Sequence, residues 1–393
     1  MIGAGLMRPT WAEINLDHIA HNVNEFRRHL GPRVEIMAVV KADGYGHGAV
    51  ETARAALEAG ASRLAVALPE EGLELRRAGI TAPILVFGYT VPELAPHLYQ
   101  YGLTPALIDR ATASAFNDRL SGLGERLAVH VKVDTGMGRV GVSPAEAVEV
   151  IAAIASLPGL YLEGVFTHLA AADEADRSFT DCQLRRFNEI LEGCRSRGLR
   201  IPLRHAANSA AAIAYPEARY DLIRLGISLY GCYPSPVLRE GPVRLLPALS
   251  LKSRIVFLKE VSRGTPIGYG CTYRTAGPAL IATVPAGYAD GYSRRFSNTG
   301  QVLVRGQLVP VVGRVCMDQI MINVTGVPAV ARGDEVVIYG RQGNGQISVD
   351  AAAETAGTIN YELLCAVGKR VPRFYLRGGA VVGSRGLPEE LNK

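Results

Sequence analysis

Lys41 closes the apolar run Ile36-Met37-Ala38-Val39-Val40, and Gly44, Gly46 and Gly48 break any regular element just beyond it. The run reads as a buried strand, and a helical pattern opens at Gly48, so the lysine stands at the C-terminal end of a strand. That is where α/β sheets and barrels keep their chemistry. Desolvation disfavours the ammonium form, and a neutral amine attacks carbonyl carbons. The alternative for this segment alone is a lysine that snorkels from a strand end. Arg224 lies inside the apolar run Leu222-Ile223-Arg224-Leu225-Gly226, where a guanidinium is costly unless paired. A salt bridge to a barrel aspartate is its structural alternative. His168, in Phe166-Thr167-His168-Leu169, taken alone is a structural histidine at a strand end.

These groups need a scaffold, and its rhythm is visible. An amphipathic helix over 12–30, capped by Asn15 or Asp17, precedes the lysine strand. Strand-like runs then recur at Leu64–Leu68, Pro83–Phe87, Leu103–Ile108, Leu127–Val133, Leu162–Leu169, Leu203–Asn208 and Leu222–Tyr230, most of them separated by helical patterns. Eight strands at this spacing predict a (β/α)8 TIM barrel over 12–242. A doubly wound open sheet is the runner-up, disfavoured because no dinucleotide-type glycine fingerprint follows the first strand. From about Val243 short β-rich runs separated by Gly, Pro and Asn predict a mainly antiparallel β domain over 243–393, joined by residues 1–11 and interrupted by one helix over Val349–Val367. The fold class is therefore α/β plus β. In a barrel the loops after strands seven and eight commonly bind phosphate, and Ser209, Gly226 and Ile227 stand there.

Composition narrows the field. The 393 residues carry 48% hydrophobic and 20% charged side chains with a net charge of +5 and no basic block, which predicts a soluble protein without a nucleic-acid partner. No run reaches membrane-spanning length and the start MIGAGLMRPTW lacks a signal-peptide pattern, so a cytoplasmic location is expected. Six scattered cysteines suggest neither a disulfide framework nor a metal site.

The string AVVKADGYGHG resembles the cofactor-lysine motif of alanine racemases, the barrel-type family of pyridoxal-phosphate enzymes, and KVDTGMGRVG at Lys132–Gly141 resembles that family's second signature. The resemblance implies pyridoxal 5′-phosphate on Lys41, with a phosphate cradle of Tyr45, Ser209, Gly226, Ile227 and Tyr361, and Asn208 also among the cofactor-binding residues. It sets Arg224 against the pyridine nitrogen with His168 behind it, and Arg139 against the phenolic oxygen and the substrate carboxylate. Lys132 matches a position that is carbamylated in some members. In the β domain Tyr269, within Pro266-Ile267-Gly268-Tyr269-Gly270, matches the second catalytic base, while Tyr288, Cys316, Met317 and Asp318 match substrate-entry segments and Tyr361 the gate. The implied activity is interconversion of L- and D-alanine, feeding peptidoglycan, by a homodimer in which Tyr269 and Met317 enter the partner's site. A cationic His168–Arg224 network is the candidate for lowering the tyrosine's pKa. A broad-specificity racemase or a barrel-type amino-acid decarboxylase is the alternative. A non-catalytic cofactor-binding barrel and a Schiff-base aldolase are more distant ones.

Overall fold

The computed structural model describes residues 8–121, 124 and 126–386. The described residues divide into two compact units, one within 19–44 and 49–246, the other of 8–18, 45–48 and 247–386. Residues 1–7 and 387–393, assigned above to the β domain, lie outside the described residues.

After β1 (Thr10–Asn15) come the barrel strands: β2 (Glu35–Val39), β3 (Arg63–Val66), β4 (Ile84–Val86), β5 (Leu103–Leu107), β6 (Leu127–Lys132), β7 (Leu160–Phe166), β8 (Leu203–His205) and β9 (Leu222–Leu225). They pair in parallel in the order β8-β7-β6-β5-β4-β3-β2-β9. Asp221 N–H donates to Arg204 O at 3.2 Å and Arg224 N–H to Ala207 O at 3.0 Å, which joins β9 to β8 and closes the ring. Helices follow most strands, the longest being Ser178–Ser196. Because helices cover the outside and side chains fill the inside, β4, β5 and β9 are buried along their whole length. That is the reason these strands read as largely apolar runs, Thr104 and Arg224 excepted.

In the second unit a large, mostly antiparallel sheet includes β1, which pairs antiparallel with Leu249–Arg254 and parallel with Arg373–Arg377. A three-stranded sheet (Phe257–Val261, Ala279–Val284, Ile320–Asn323) and a short hairpin (Pro266–Ile267 with Tyr273–Arg274) complete it. Several details differ from the sequence reading: the strand expected over Leu222–Tyr230 ends at Leu225, with Ile227–Tyr230 a short 3-10 helix, and three further differences bear on the units. Residues 12–15 are strand, not helix, and the helix begins at Leu16, where Asn15 Oδ1 accepts from His18 N–H at 3.1 Å. Tyr45–Gly48 belongs with the β unit, because Gly46 O accepts from Arg373 Nε at 3.2 Å and Nη2 at 3.1 Å. The helix expected over 349–367 is two helices, Val349–Ala356 and Asn360–Cys365, stopped between them by Gly357 in the left-handed region at φ +63°. No helix among the described residues is long and apolar enough to cross a membrane.

Candidate functional site

Lys41 follows the end of β2, half-buried, and the chain then makes a turn of left-handed helix: Ala42 (φ 52°, ψ 49°), Asp43 (54°, 46°) and Gly44 (60°, 44°), with Tyr45 at φ 51°. Each non-glycine residue in this region costs about 1–2 kcal/mol, so the surroundings must hold the turn. Glu71 does part of this. Its carboxylate accepts from the N–H groups of Ala42 (2.6 Å), Ala67 (2.7 Å) and Leu68 (3.1 Å). Asp43 accepts from Ala49 N–H at 3.1 Å and Gly44 N–H donates to Val40 O at 2.9 Å.

Arg224 sits inside the barrel at 3% exposure. Its Nη1 donates to His205 Nδ1 at 2.9 Å; its Nη2 donates to Thr167 O (2.9 Å), Ala206 O (2.8 Å) and His168 Nδ1 (3.1 Å). None of these partners is a carboxylate, so among the described residues Arg224 makes no salt bridge of the kind raised as an alternative. Burial, then the charge of Arg139, brings the guanidinium down to about 9, leaving it charged at neutral pH. His168 is held well below its ordinary value, by burial first and then by Arg224, Lys132, Arg139 and Lys41. It is therefore a neutral acceptor, and the expected cationic His168–Arg224 network carries its charge on the arginine alone.

The loop after β6 brings the second signature to the same end of the barrel. Asp134 accepts from the N–H groups of Gly136 (3.0 Å), Gly138 (3.1 Å) and Arg139 (3.1 Å), shaping a loop on which Arg139 is exposed. Buried Gln183 ties this loop to the next, donating to His168 O at 3.0 Å and Thr135 Oγ1 at 3.2 Å. Lys132, 4% exposed, donates to Val133 O at 3.1 Å; burial, then Arg224, lowers its amine to about 7. Asn208 caps the helix Ser209–Ala214 by accepting from Ala211 N–H at 3.0 Å. The buried Ser209 hydroxyl accepts from Gly226 N–H at 3.0 Å and Ser228 N–H at 3.4 Å, and Ile227 lies buried between these two donors.

The β unit presents its candidates differently. Tyr45 is buried with its ring 6.1 Å from that of Tyr361, and burial raises its phenol, which stays protonated. Tyr269 is 71% exposed on the tip of the short hairpin, between Gly268 (φ +73°) and Gly270 (φ +71°). Tyr288 N–H donates to Cys316 O at 3.1 Å and Ala289 N–H to Met317 O at 3.0 Å, so the two entry segments run side by side with Tyr288 and Met317 exposed. Asp318 accepts from Arg370 Nη2 at 2.6 Å. Glu71, Gln183, Asp134 and His205 escaped a role in the sequence reading. Only His205, next to the phosphate-loop residues, carried a signal by position.

Comparison with known proteins gives a consistent picture. The family model for the alanine racemase N-terminal domain matches residues 14–234, and that for the alanine racemase C-terminal domain matches 248–375. An alanine racemase of Desulforamulus reducens is 50% identical over 372 residues, 94% of this chain and all of that protein. A crystal structure of alanine racemase from Bacillus anthracis with bound L-Ala-P superposes with a TM-score of 0.91 at 41% identity, covering 96% of this chain and 98% of that one. A histidine racemase from Leuconostoc mesenteroides gives 0.87 at 32% identity, covering 94% and 99%.

Proposed function

The chain belongs to the alanine racemase family, and from that premise we propose that it interconverts L- and D-alanine with pyridoxal 5′-phosphate, using Lys41 and Tyr269 as bases on opposite faces of the substrate. The observation that carries this is Arg224: a buried guanidinium whose acceptors are neutral imidazole nitrogens and carbonyls. The donors present fit the cofactor. The N–H groups of Gly226 and Ser228 converge on one hydroxyl, the arrangement a phosphate oxygen uses. We assign Tyr45, Ser209, Gly226, Ile227 and Tyr361 to the phosphate, Arg224 to the ring nitrogen, Arg139 to the phenolic oxygen and the substrate carboxylate, Lys41 to the covalent link, and Asn208 to the cofactor site more generally.

When bound, pyridoxal phosphate supplies the electron sink that makes the Cα proton of an amino acid acidic. Arg224 would moderate that sink, because it donates hydrogen bonds but does not surrender a proton at neutral pH and so would leave the ring nitrogen unprotonated. Racemisation requires a proton to leave one face and another to arrive on the opposite one. Lys41 Nζ takes the proton of the D-isomer; the Tyr269 hydroxyl takes that of the L-isomer. Tyr269, Met317 and Tyr288 stand exposed in their own unit, which supports a homodimer in which Tyr269 and Met317 serve a second copy's site. Lys132, with an amine near 7, is neutral often enough to capture carbon dioxide, and as a carbamate it would steady Arg139. A 13C resonance from labelled bicarbonate, lost in Lys132→Met, tests this.

The Leuconostoc neighbour acts on histidine with the same fold, so the side-chain pocket, not the architecture, selects the substrate. Tyr361, half-buried against Tyr45, favours a small side chain. Conversion of L-alanine with and without added pyridoxal phosphate, run beside histidine, lysine, arginine and ornithine, decides. Cofactor-dependent D-alanine as the principal product is expected; faster turnover of another amino acid replaces alanine with a broad-specificity reading, and carbon dioxide release replaces it with a decarboxylase.

A further inference from the structure

Behind Arg224 a line of hydrogen bonds leaves the candidate site and crosses the barrel interior. His205 Nδ1 accepts from Arg224, His205 Nε2 lies 2.8 Å from His130 Nδ1, and His130 Nε2 lies 3.0 Å from Glu163 Oε2. Arg63 Nη1 donates to Glu163 Oε1 at 2.9 Å, and Arg63 Nε to Glu35 Oε2 at 3.2 Å. Arg63 and Glu35 are the first residues of β3 and β2, so the line ends at the N-terminal mouth, opposite the face that carries Lys41.

Its polarity is forced. An arginine only donates, so His205 Nδ1 is bare and its proton is on Nε2; this faces His130 Nδ1, which must also be bare; His130 then holds its proton on Nε2 and gives it to the carboxylate. Both imidazoles are fully buried and held below their ordinary values, chiefly by burial, so they are neutral. Glu163 stays ionised: burial works to raise it and is outweighed by His130 and Arg63.

The surrounding backbone is shaped to this line. The β6–β7 register skips one residue, pairing Val129 with Leu162 but His130 with Gly164, so Glu163 is the extra residue of a bulge. Bulges re-aim a side chain, and this one reaches the His130 ring. Gly164 is glycine for the same reason, since a Cβ there would lie 2.6 Å from the His130 ring. Phe166 stacks flat on His205, centroids 4.7 Å apart, and meets His130 edge-on at 6.3 Å.

We propose that Glu163 is a positioning residue for Arg224, acting from the opposite mouth of the barrel through His130 and His205, whose tautomers the two ends fix between them. The guanidinium is then aimed by a carboxylate too distant to neutralise it locally. Only the kinetic arm of the following test rests on the racemase reading; the spectroscopic arm stands without it.

The test uses the full chain with 15N-labelled histidine, with and without pyridoxal phosphate. In the unmutated protein both His130 and His205 should show a bare Nδ1 and a protonated Nε2; a proton on Nδ1 of either overturns the proposal with no variant needed. In Glu163→Leu the His130 nitrogens should move toward averaged positions, and the His205 Nε2–H proton should move upfield as its bond weakens. Glu163→Gln, which keeps one acceptor oxygen, should fall between. For Glu163→Leu kcat should fall about tenfold while KM for alanine changes less than about twofold, the loss of one charge-assisted alignment. A variant that melts earlier but keeps the His205 resonances and kcat of the parent makes Glu163 a structural residue and overturns the proposal. If the resonances shift as expected in a protein that racemises no amino acid, the relay stands and the racemase reading fails.

Discussion

The barrel and the β unit prepare their candidate residues in opposite ways. Around Arg224 and Lys132 the side chains are buried, hydrogen-bonded to barrel carbonyls and imidazoles, and perturbed in their protonation by burial and by neighbouring charge. Around Tyr269, Tyr288 and Met317 the backbone is specified, by glycines at positive φ and by paired loop hydrogen bonds, while the side chains stand in solvent. The first arrangement is finished within one chain. The second fixes direction without providing an environment, which is what a group needs if its environment is supplied by another copy.

The largest effect should come from removing one residue on each side of this contrast. Lys41→Ala and Tyr269→Ala should each lose nearly all racemisation, the first also losing the bound cofactor's long-wavelength absorbance. Refolded together, with about half of the dimers mixed and one of two sites intact in each, they should recover roughly a quarter of the parent activity. A mixture that stays inactive although mixed dimers form would place both residues in one chain's site. Next in size is Gly164→Ala, where the added Cβ meets a ring held at both nitrogens. Denaturant unfolding should show a loss of about 2–3 kcal/mol, because neither His130 nor the strand has room to yield. An unchanged midpoint would mean that the barrel interior is looser than its hydrogen bonds imply.

Lys132 gives a pH signature. Its amine is near 7 in the fold and 10.5 ordinarily, so between these values the unfolded chain binds the extra proton and stability rises with pH. As pH falls through about 7 the folded state must accept a buried ammonium, and that gain is gone. In bicarbonate-free buffer the stability difference between Lys132→Met and the parent should therefore move in the parent's favour by roughly 3 kcal/mol from pH 7 to pH 10. A constant gap would show that the amine titrates normally. The smallest effect is expected at Ala42→Gly, where relief of the left-handed conformation exceeds glycine's entropic cost and should stabilise by about 0.5–1 kcal/mol. Destabilisation measured by thermal melting would instead mean that the methyl group packs against something the turn depends on.

Much of this was legible in the sequence, for identifiable reasons. Barrel strands buried on both faces leave largely apolar runs, and the glycines around Lys41 and Tyr269 mark turns with positive φ that few other residues tolerate. Arg224 stood out because a charge in an apolar strand always needs partners. The partners themselves did not stand out. His205 and His130 are single histidines far apart in sequence, and Leu160-Tyr161-Leu162-Glu163-Gly164-Val165-Phe166 reads as a regular strand; nothing local announces a bulge created by pairing with β6. Glu71 looks like any acid in a first helical turn, yet its oxygens hold the backbone beside Lys41. Tyr45–Gly48 was assigned to the barrel because a short glycine-rich turn carries no sign that Arg373 will bind its carbonyl.

The placing of β1 between Leu249–Arg254 and Arg373–Arg377 also bears on how the protein is made. Once Thr10–Asn15 has left the ribosome, its parallel neighbour is translated about 350 residues later, a delay of roughly 20–70 s at ordinary elongation rates. During that interval residues 19–246 have all been synthesised, so the barrel unit has time to close while Thr10–Asn15 still exposes an unpaired edge. A nascent chain stalled before Arg373 should therefore carry a protease-resistant barrel and a cleavable N-terminal segment.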